Sequence, residues 1–255
     1  MLLEQIQHIV RECGALMLHA DHARAGVQMK GGRSNDLVTR YDKAVQAALR
    51  EKLLALVPQA HFVGEEEDVH ASIAQGDAFI VDPIDGTTNF VHDYKCSAIS
   101  VAMTRDGEAY LGVVYNPYLD EMFYAQRGQG AYCNGTAIHV SDLSLIQGLT
   151  LFGSASYYDE LTDESFRLLR ECFDRSQDIR RSGSAALDLC TIAAGRAELF
   201  FELRLQPWDY AAGALIVQEA GGVCTCVDGS PIDLTKPCPI LATGSGVDAG
   251  FIRGE

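Results

Sequence analysis

Two aspartates three residues apart, Asp82 and Asp85, follow the apolar run Phe79-Ile80-Val81 and precede the turn Gly86-Thr87-Thr88. Hard carboxylate oxygens beside exposed amides and hydroxyls suit Mg²⁺ and a phosphate ester. Pro83 stiffens the backbone between the two acids, and Gly86 permits the tight turn that frees the amides of Gly86, Thr87 and Thr88. Alone, the segment also reads as an Asp-Gly turn closing a strand. Three further acidic segments bear on that choice. Glu65 follows the short apolar strand Phe62-Val63-Gly64, Asp42 stands ahead of an apolar helical pattern at Val45, Leu49 and Leu53, and Asp209 opens a helix-like run after Pro207-Trp208. Singly, Glu65 reads as a solvated charge, and Asp42 and Asp209 read as helix N-caps. In chain order they form a set of carboxylates delivered from the ends of elements.

The elements that must position them follow from periodicity. Ile6, Ile9, Val10, Cys13, Leu16 and Met17 predict a helix within residues 3–20, and a second helix over residues 43–57 stops at Pro58. From Ser97 to Val140, apolar runs separated by Asp106-Gly107, Asn116-Pro117 and Arg127-Gly128 predict an antiparallel meander. Its Tyr110, Val113, Tyr115, Phe123 and Tyr124 suit either a covered core or a surface shared with a second copy. The later part mixes short strands, Leu149 to Phe152 and Ala197 to Phe201, with helices near residues 160–173, 184–194 and 209–220, an α/β order with helices covering sheets.

Composition excludes several classes. The chain has 255 residues, 47% of them hydrophobic, enough for a sizeable core, and no stretch reads as a linker. A net charge of -15 argues against a nucleic-acid binder, which needs a basic face to displace counterions. Bound divalent cations would turn an acidic cluster into a pocket for an anionic substrate. The eight cysteines lack zinc-site spacing, although Cys224 and Cys226 would share one side of a strand. The start Met-Leu-Leu-Glu-Gln lacks the basic flank of a secretory signal, and no segment approaches the ~18 apolar residues of a membrane span, so a reducing cytoplasm is the expected compartment. Among the histidines, His19 with Asp21 and His22 reads as a solvated helix end, and His92 is given no role. Trp208 reads as a core residue fixing Asp209, and Ser182 and Ser184 lack the partners of a serine hydrolase.

The ordered set Gly64-Glu65-Glu66, Asp82-Pro83-Ile84-Asp85-Gly86-Thr87 and Trp208-Asp209 with Ala211-Ala212-Gly213 resembles the motifs of the inositol monophosphatase family. The likeness runs from Asp36-Leu37-Val38-Thr39 through Gly183-Ser184-Ala185-Ala186 to Glu219-Ala220-Gly221-Gly222. The resemblance implies an α/β (α+β) fold, a layered α-β-α-β-α sandwich. It would form one domain, with a meander half over about residues 1–145 and an α/β half over about 146–255. It further implies a lithium-sensitive, Mg²⁺-dependent phosphomonoesterase, with two or three ions per subunit, acting through an attacking water on inositol monophosphate or a related sugar or polyol phosphate. Fructose-1,6-bisphosphate, histidinol phosphate and nucleotide phosphates are rival substrates. Some bacterial relatives of this family serve instead as partners of the transcription machinery.

By family position, Glu65, Asp82, the Ile84 carbonyl, Asp85 and Asp209 would hold the two principal ions, and Asp42 a further, weaker one. Thr87 and Glu65 would hold and polarise the water. Phosphate would meet Gly86, Thr87 and Thr88. Gly183, Ser184 and Ala185 would line one side of the substrate pocket and Glu202 the other, although Glu202 also reads as an inert strand-end charge. Lys30, in the Gly31-Gly32 segment, would lie on a mobile active-site loop, with an ordinary surface lysine as the alternative. A homodimer is the assembly the resemblance implies.

Overall fold

Ile6, Val10, Cys13 and Met17 recur at helical steps and form the buried face of α1 (Leu2–Leu18). In the same way α2 (Arg40–Leu56) buries Val45, Leu49 and Leu53, and it ends at Val57, just before Pro58. The computed structural model describes residues 1–20, 27–29, 37–67, 71–153 and 159–254. Asp21, His22, Lys30, the adjoining glycines and Asp36 lie outside the described residues.

A two-stranded antiparallel pair, β1 (Gln28–Met29) and β2 (Leu37–Val38), precedes α2. Seven strands then form one sheet in chain order: β3 (His61–Gly64), β4 (Asp77–Asp85), β5 (Ala98–Arg105), β6 (Glu108–Asn116), β7 (Glu121–Gln126), β8 (Ala131–Cys133) and β9 (Thr136–Ile138). β3 runs parallel to β4, and the rest are antiparallel. Asp106 and Gly107, both at positive φ, turn β5 into β6, as the Asp-Gly signal demands. A five-stranded sheet follows: β10 (Leu149–Phe152), β11 (Asp178–Arg180), β12 (Leu199–Leu205), β13 (Val223–Cys226) and β14 (Cys238–Thr243), in the order β11-β10-β12-β14-β13.

The remaining helices are α3 (Thr87–Val91), α4 (Asp159–Arg175), α5 (Ala185–Ala193), α6 (Pro207–Glu219) and α7 (Gly250–Arg253). Three apolar clusters stack them in layers. α1 and α2 cover one face of the large sheet through Phe79, Val101 and Val113. Its other face, with Ile80, Ala102 and Val114, packs on α5 and α6, which rest in turn on Phe200, Ile240 and Ala242 of the second sheet. α4 and α7 close the far face over Leu199, Phe201 and Leu241. The architecture is an α-β-α-β-α sandwich.

Some expectations shift. The meander aromatics are covered core: Val113, Tyr115 and Phe123 are buried, and Tyr110 and Tyr124 are half-buried against the α1–α2 layer. The strand expected from Ala197 starts at Leu199 and continues past Glu202 and Arg204 to Leu205, because a register shift hides its polarity pattern. β14 shows no alternation, since Ile240, Leu241 and Ala242 are buried on both faces, and its pattern gave no strand signal. Among the described residues, no helix is long and apolar enough to cross a membrane.

α6 lies in the centre because glycines admit it. A Cβ at Gly112 of β6 would stand 2.8 Å from the Ala212 carbonyl oxygen, and one at Gly213 would stand 2.7 Å from Leu189 of α5. In an open strand Gly→Ala is neutral or stabilising. Here Gly112→Ala should destabilise by about 1–3 kcal/mol through overpacking, read as a lower urea midpoint at unchanged m-value. A midpoint equal to wild type would show that α6 is not held this tightly.

Candidate active site

The ends of two parallel strand pairs face one cavity of about 280 Å³. In the first pair, Gly64 of β3 lies beside Val81 of β4, and the Glu65 amide donates to the Val81 carbonyl at 3.1 Å, which sets Glu65 next to Asp82. Gly64 leaves room for the Gln46 side chain. A Cβ there would stand 2.5 Å from the Gln46 amide group, whose Oε1 accepts from the Glu66 amide at 2.9 Å. In the second pair, the Gly153 amide donates to the Phe201 carbonyl at 2.9 Å, and Glu202 follows. Its carboxylate fills the space a Gly153 side chain would need, 1.9 Å from the ideal Cβ position.

Asp82 and Asp85 pose a steric problem, because residues three apart on a regular strand point to opposite faces. The register resolves it: Asp82 opposes Ser100 and Asp85 opposes Ala98, so one extra residue bulges from β4 around Pro83. The bulge turns both carboxylates into the cavity while Ile84 packs into the core beneath α1 and α2. Asp82 Oδ1 accepts from the Ile84 amide at 2.9 Å. Asp85 Oδ2 accepts from the Ser184 hydroxyl and, at 2.9 Å, from the Ala186 amide, so it sits on the positive end of α5. Ser184 is the N-cap of that helix and spends its hydroxyl on Asp85.

Asp209 and Asp42 are placed by capping boxes, three positions beyond the N-cap. The N-caps are Gln206 and Thr39, and each aspartate stands at N3 and reaches back to the N-cap amide: Asp209 Oδ2 to Gln206 N at 2.7 Å, Asp42 Oδ2 to Thr39 N at 2.7 Å. The sequence reading of both as N-caps is corrected accordingly. Pro207 at N1 leaves the first turn of α6 pre-set.

One carboxylate oxygen each from Asp82, Asp85 and Asp209 lies within 4.8 Å of the others. Trans ligands of a Mg²⁺ ion are separated by roughly 4.2 Å, so this all-oxygen set fits a hard divalent cation, and among the described residues the cavity wall holds no histidine or cysteine that would favour zinc. Without a cation the cluster is electrostatically unfavourable. Burial, then the charges of Glu65, Asp85 and Asp209, push the Asp82 carboxyl well above the usual range; burial, then Glu65 and Asp85, do the same to Asp209. Burial carries Asp85 up to about 6 against the opposing hydrogen bonds of Ser184 and the α5 amides.

Glu65, Asp82, Ile84, Asp85, Gly86, Thr87, Thr88, Gly183, Ser184, Ala185, Glu202 and Asp209 all line this cavity. Asp42 does not. It is fully buried behind Thr87, whose hydroxyl lies 3.0 Å from Asp42 Oδ1 and 3.1 Å from the Ile84 carbonyl. Gly86, at φ 86°, caps the short helix α3, and a Cβ there would meet the Cys96 and Gly183 carbonyls at 3.0 Å. Trp208 is half-buried, packing against the core cluster as expected and lining the cavity wall as well. Sequence reasoning missed Arg181, Arg204 and Asp188. Asp188 sits in the first turn of α5, buried, its carboxyl raised by burial to about 8. Helical spacing from Ser184 was the available signal.

With this geometry the comparisons agree. A model of the inositol monophosphatase family matches residues 2–253. Inositol monophosphatase 2 of Solanum lycopersicum is 37% identical over 250 residues, covering 95% of this chain and 93% of its own. Nus factor SuhB of Salmonella typhimurium is 40% identical over 195 residues, covering 74% of this chain and 72% of its own. The structure of an IMPase from Thermotoga maritima superposes with a TM-score of 0.86 at 32% identity, covering 97% of this chain and 93% of that one.

The raised carboxyls fix the sign of a pH effect. A group whose folded pKa lies above its unfolded value stabilises the fold fully at pH below the unfolded pKa and loses that contribution as pH rises through the folded one. For Asp85, between its ordinary value of 3.8 and about 6, the metal-free protein should lose stability as pH rises, and Asp188 should extend the loss toward about 8. In chelator, the melting temperature should therefore be higher near about pH 5 than near about pH 7.5, and Mg²⁺ should raise it chiefly at the higher pH. Asp82→Asn should raise metal-free stability by about 1–3 kcal/mol and abolish the Mg²⁺ gain. A Mg²⁺ gain independent of both pH and Asp82 would disprove the assignment of the cluster.

Proposed function

The chain belongs to the inositol monophosphatase family, and from that premise we propose that it is a Mg²⁺-dependent phosphomonoesterase acting on inositol monophosphate or a related polyol phosphate. The observation that carries the reading is the convergence of Asp82, Asp85 and Asp209 oxygens within 4.8 Å beside the Gly86–Thr88 turn. We assign cation binding to these three, to Glu65 and to the Ile84 carbonyl. When bound, Mg²⁺ would neutralise the phosphoryl oxygens and make the attacking water more acidic.

The chain's own groups do the rest. The backbone at Gly86, Thr87 and Thr88 receives the phosphate, with the first amides of α3 directed at it. Asp42 is a positioning residue: by accepting the Thr87 proton, it leaves a lone pair on that hydroxyl to accept from, and so orient, the water. Glu65, beside Asp82, takes a proton from the attacking water as its oxygen bonds phosphorus and the ester phosphorus–oxygen bond breaks, and solvent protonates the departing alkoxide to the alcohol. Glu202 accepts from substrate hydroxyls, with the Gly183–Ala185 backbone on the opposite wall. A lithium-sensitive, cytoplasmic homodimer completes the proposal.

A second reading follows from the relative named as a Nus factor, in which the chain also partners the transcription machinery. The net charge of -15 favours a protein partner over direct RNA contact. A pull-down retained by Asp82→Asn would separate this role from catalysis.

The test is phosphate release from inositol phosphate and other esters. Activity should vanish in chelator and return with Mg²⁺, and Asp82→Asn or Asp85→Asn should cut turnover by roughly three orders of magnitude or more. Glu202→Gln should lower kcat/KM by roughly ten- to a hundredfold on polyol phosphates and much less on an aryl phosphate without hydroxyls. Full activity in metal-free buffer would refute the reading.

A further inference from the structure

β12 departs from strand geometry on the cavity wall. Glu202 opposes Ile240 and Leu205 opposes Cys238, so three steps on β12 match two on β14, and the extra residue bulges between them. On a regular strand, Arg204 and Leu205 would face opposite sides. Here Glu202, Arg204 and Leu205 all line the cavity. Glu202 and Arg204, two residues apart, share one face of β12, and the bulge brings Leu205 to that face as well, so Arg204 lines the substrate cavity next to the carboxylate assigned to substrate hydroxyls.

Arg204 is not among the principal charges that act on Asp82 or Asp209. The principal charges acting on Asp82 and Asp209 are carboxylates, Glu65, Asp85 and Glu202 among them. Arg204 instead reaches Glu160, in the first turn of α4, at 3.7 Å, with both side chains exposed. Such a pair is worth little, so an incoming anion can displace Glu160 at small cost. Arg181 lines the cavity as well, but the buried Asp188 carboxyl lies within its electrostatic reach. Arg204 is the better placed of the two. A guanidinium fork matches a phosphate or carboxylate through two parallel hydrogen bonds.

Building on the phosphatase reading, we propose that Arg204 forms a subsite for a second anionic group, so that the preferred substrate is a polyol phosphate carrying a further phosphate or carboxylate beyond the hydroxyls held by Glu202. The scissile phosphate takes the aspartate end, the hydroxyls meet Glu202, and the second anion meets Arg204.

The experiment compares initial rates with Mg²⁺ on a hexitol bisphosphate, a phosphorylated hexonic acid and the hexitol monophosphate. Wild type should favour at least one dianionic-ended ester over the monophosphate by about tenfold in kcat/KM. The two arms distinguish phosphate from carboxylate. Arg204→Gln should bring that ratio close to unity, Arg204→Lys should restore part of it, and added salt should reduce it in wild type. Glu160→Gln, which removes the competing carboxylate, should raise the ratio, and it tests the proposal should Arg204→Gln fold poorly. A wild-type ratio near unity for both esters, or an equal loss on every ester in Arg204→Gln, would overturn the subsite while leaving the phosphatase reading in place. Absence of phosphate release from any ester would overturn both.

Discussion

Like-charged carboxylates held together out of water are the constraint around which this structure is organised. Such a cluster raises its own pKa values and opposes folding until a cation joins it. The chain offsets part of the cost with backbone dipoles rather than with basic side chains. Asp85 rests on the first amides of α5, and Asp209 closes a capping box in the first turn of α6. Asp82 accepts from the amide two residues on. Arginine or lysine in the same places would relieve the repulsion more fully, but would occupy the space a divalent ion needs. Amides stabilise one oxygen of each carboxylate and hold its direction, leaving the cluster short of positive charge, as the proposed cation site requires.

The central layer explains how residues so far apart in sequence meet. α5 and α6 lie between the two sheets, and each delivers its N-terminus to the cavity, where the carboxyl ends of β3, β4, β10 and β12 also point. Gly112 and Gly213 let α6 sit close to β6 and to α5, so that Asp209 is positioned by the core and not by a loop. The Asn89 side chain donates to the Cys96 and Ser182 carbonyls at 2.7 and 2.8 Å, tying the α3 turn to the segment that opens α5. Relative motion of the Asp85 turn and the α5 terminus is thereby limited.

Much of this was legible in the sequence because the strongest signals are local. The faces of α1 and α2 follow from apolar spacing, and the Asp-Gly turn at Asp106-Gly107 needs only its two residues. The acidic segments stood out as a set, and the structure brings Glu65, Asp82, Asp85, Glu202 and Asp209 to one cavity. What escaped depends on pairing across strands. The bulges at Pro83 and Arg204 exist only relative to Ser100–Ala98 and Ile240–Cys238, so neither β4 nor β12 alone reveals which way its charges face. The bond from Thr39 to Asp42 follows from local spacing, whereas the bond from Thr87 depends on packing between elements distant in sequence.

The two bulges divide the labour of the site. The β4 bulge is bound into the aspartate cluster: moving it by one residue would turn Asp82 or Asp85 to the opposite face and dissolve the cation site. The β12 bulge carries no such obligation. Glu202 fits against Gly153, whereas Arg204 is exposed and pairs with Glu160 of α4. On the proposed subsite, substitution at position 204 changes what the far end of the substrate meets without disturbing the phosphoryl end. A rigid wall built on helix termini and a tolerant wall built on an exposed bulge are what a fold needs if one hydrolytic chemistry is to serve several phosphate esters, and specificity in this chain should be sought on β12.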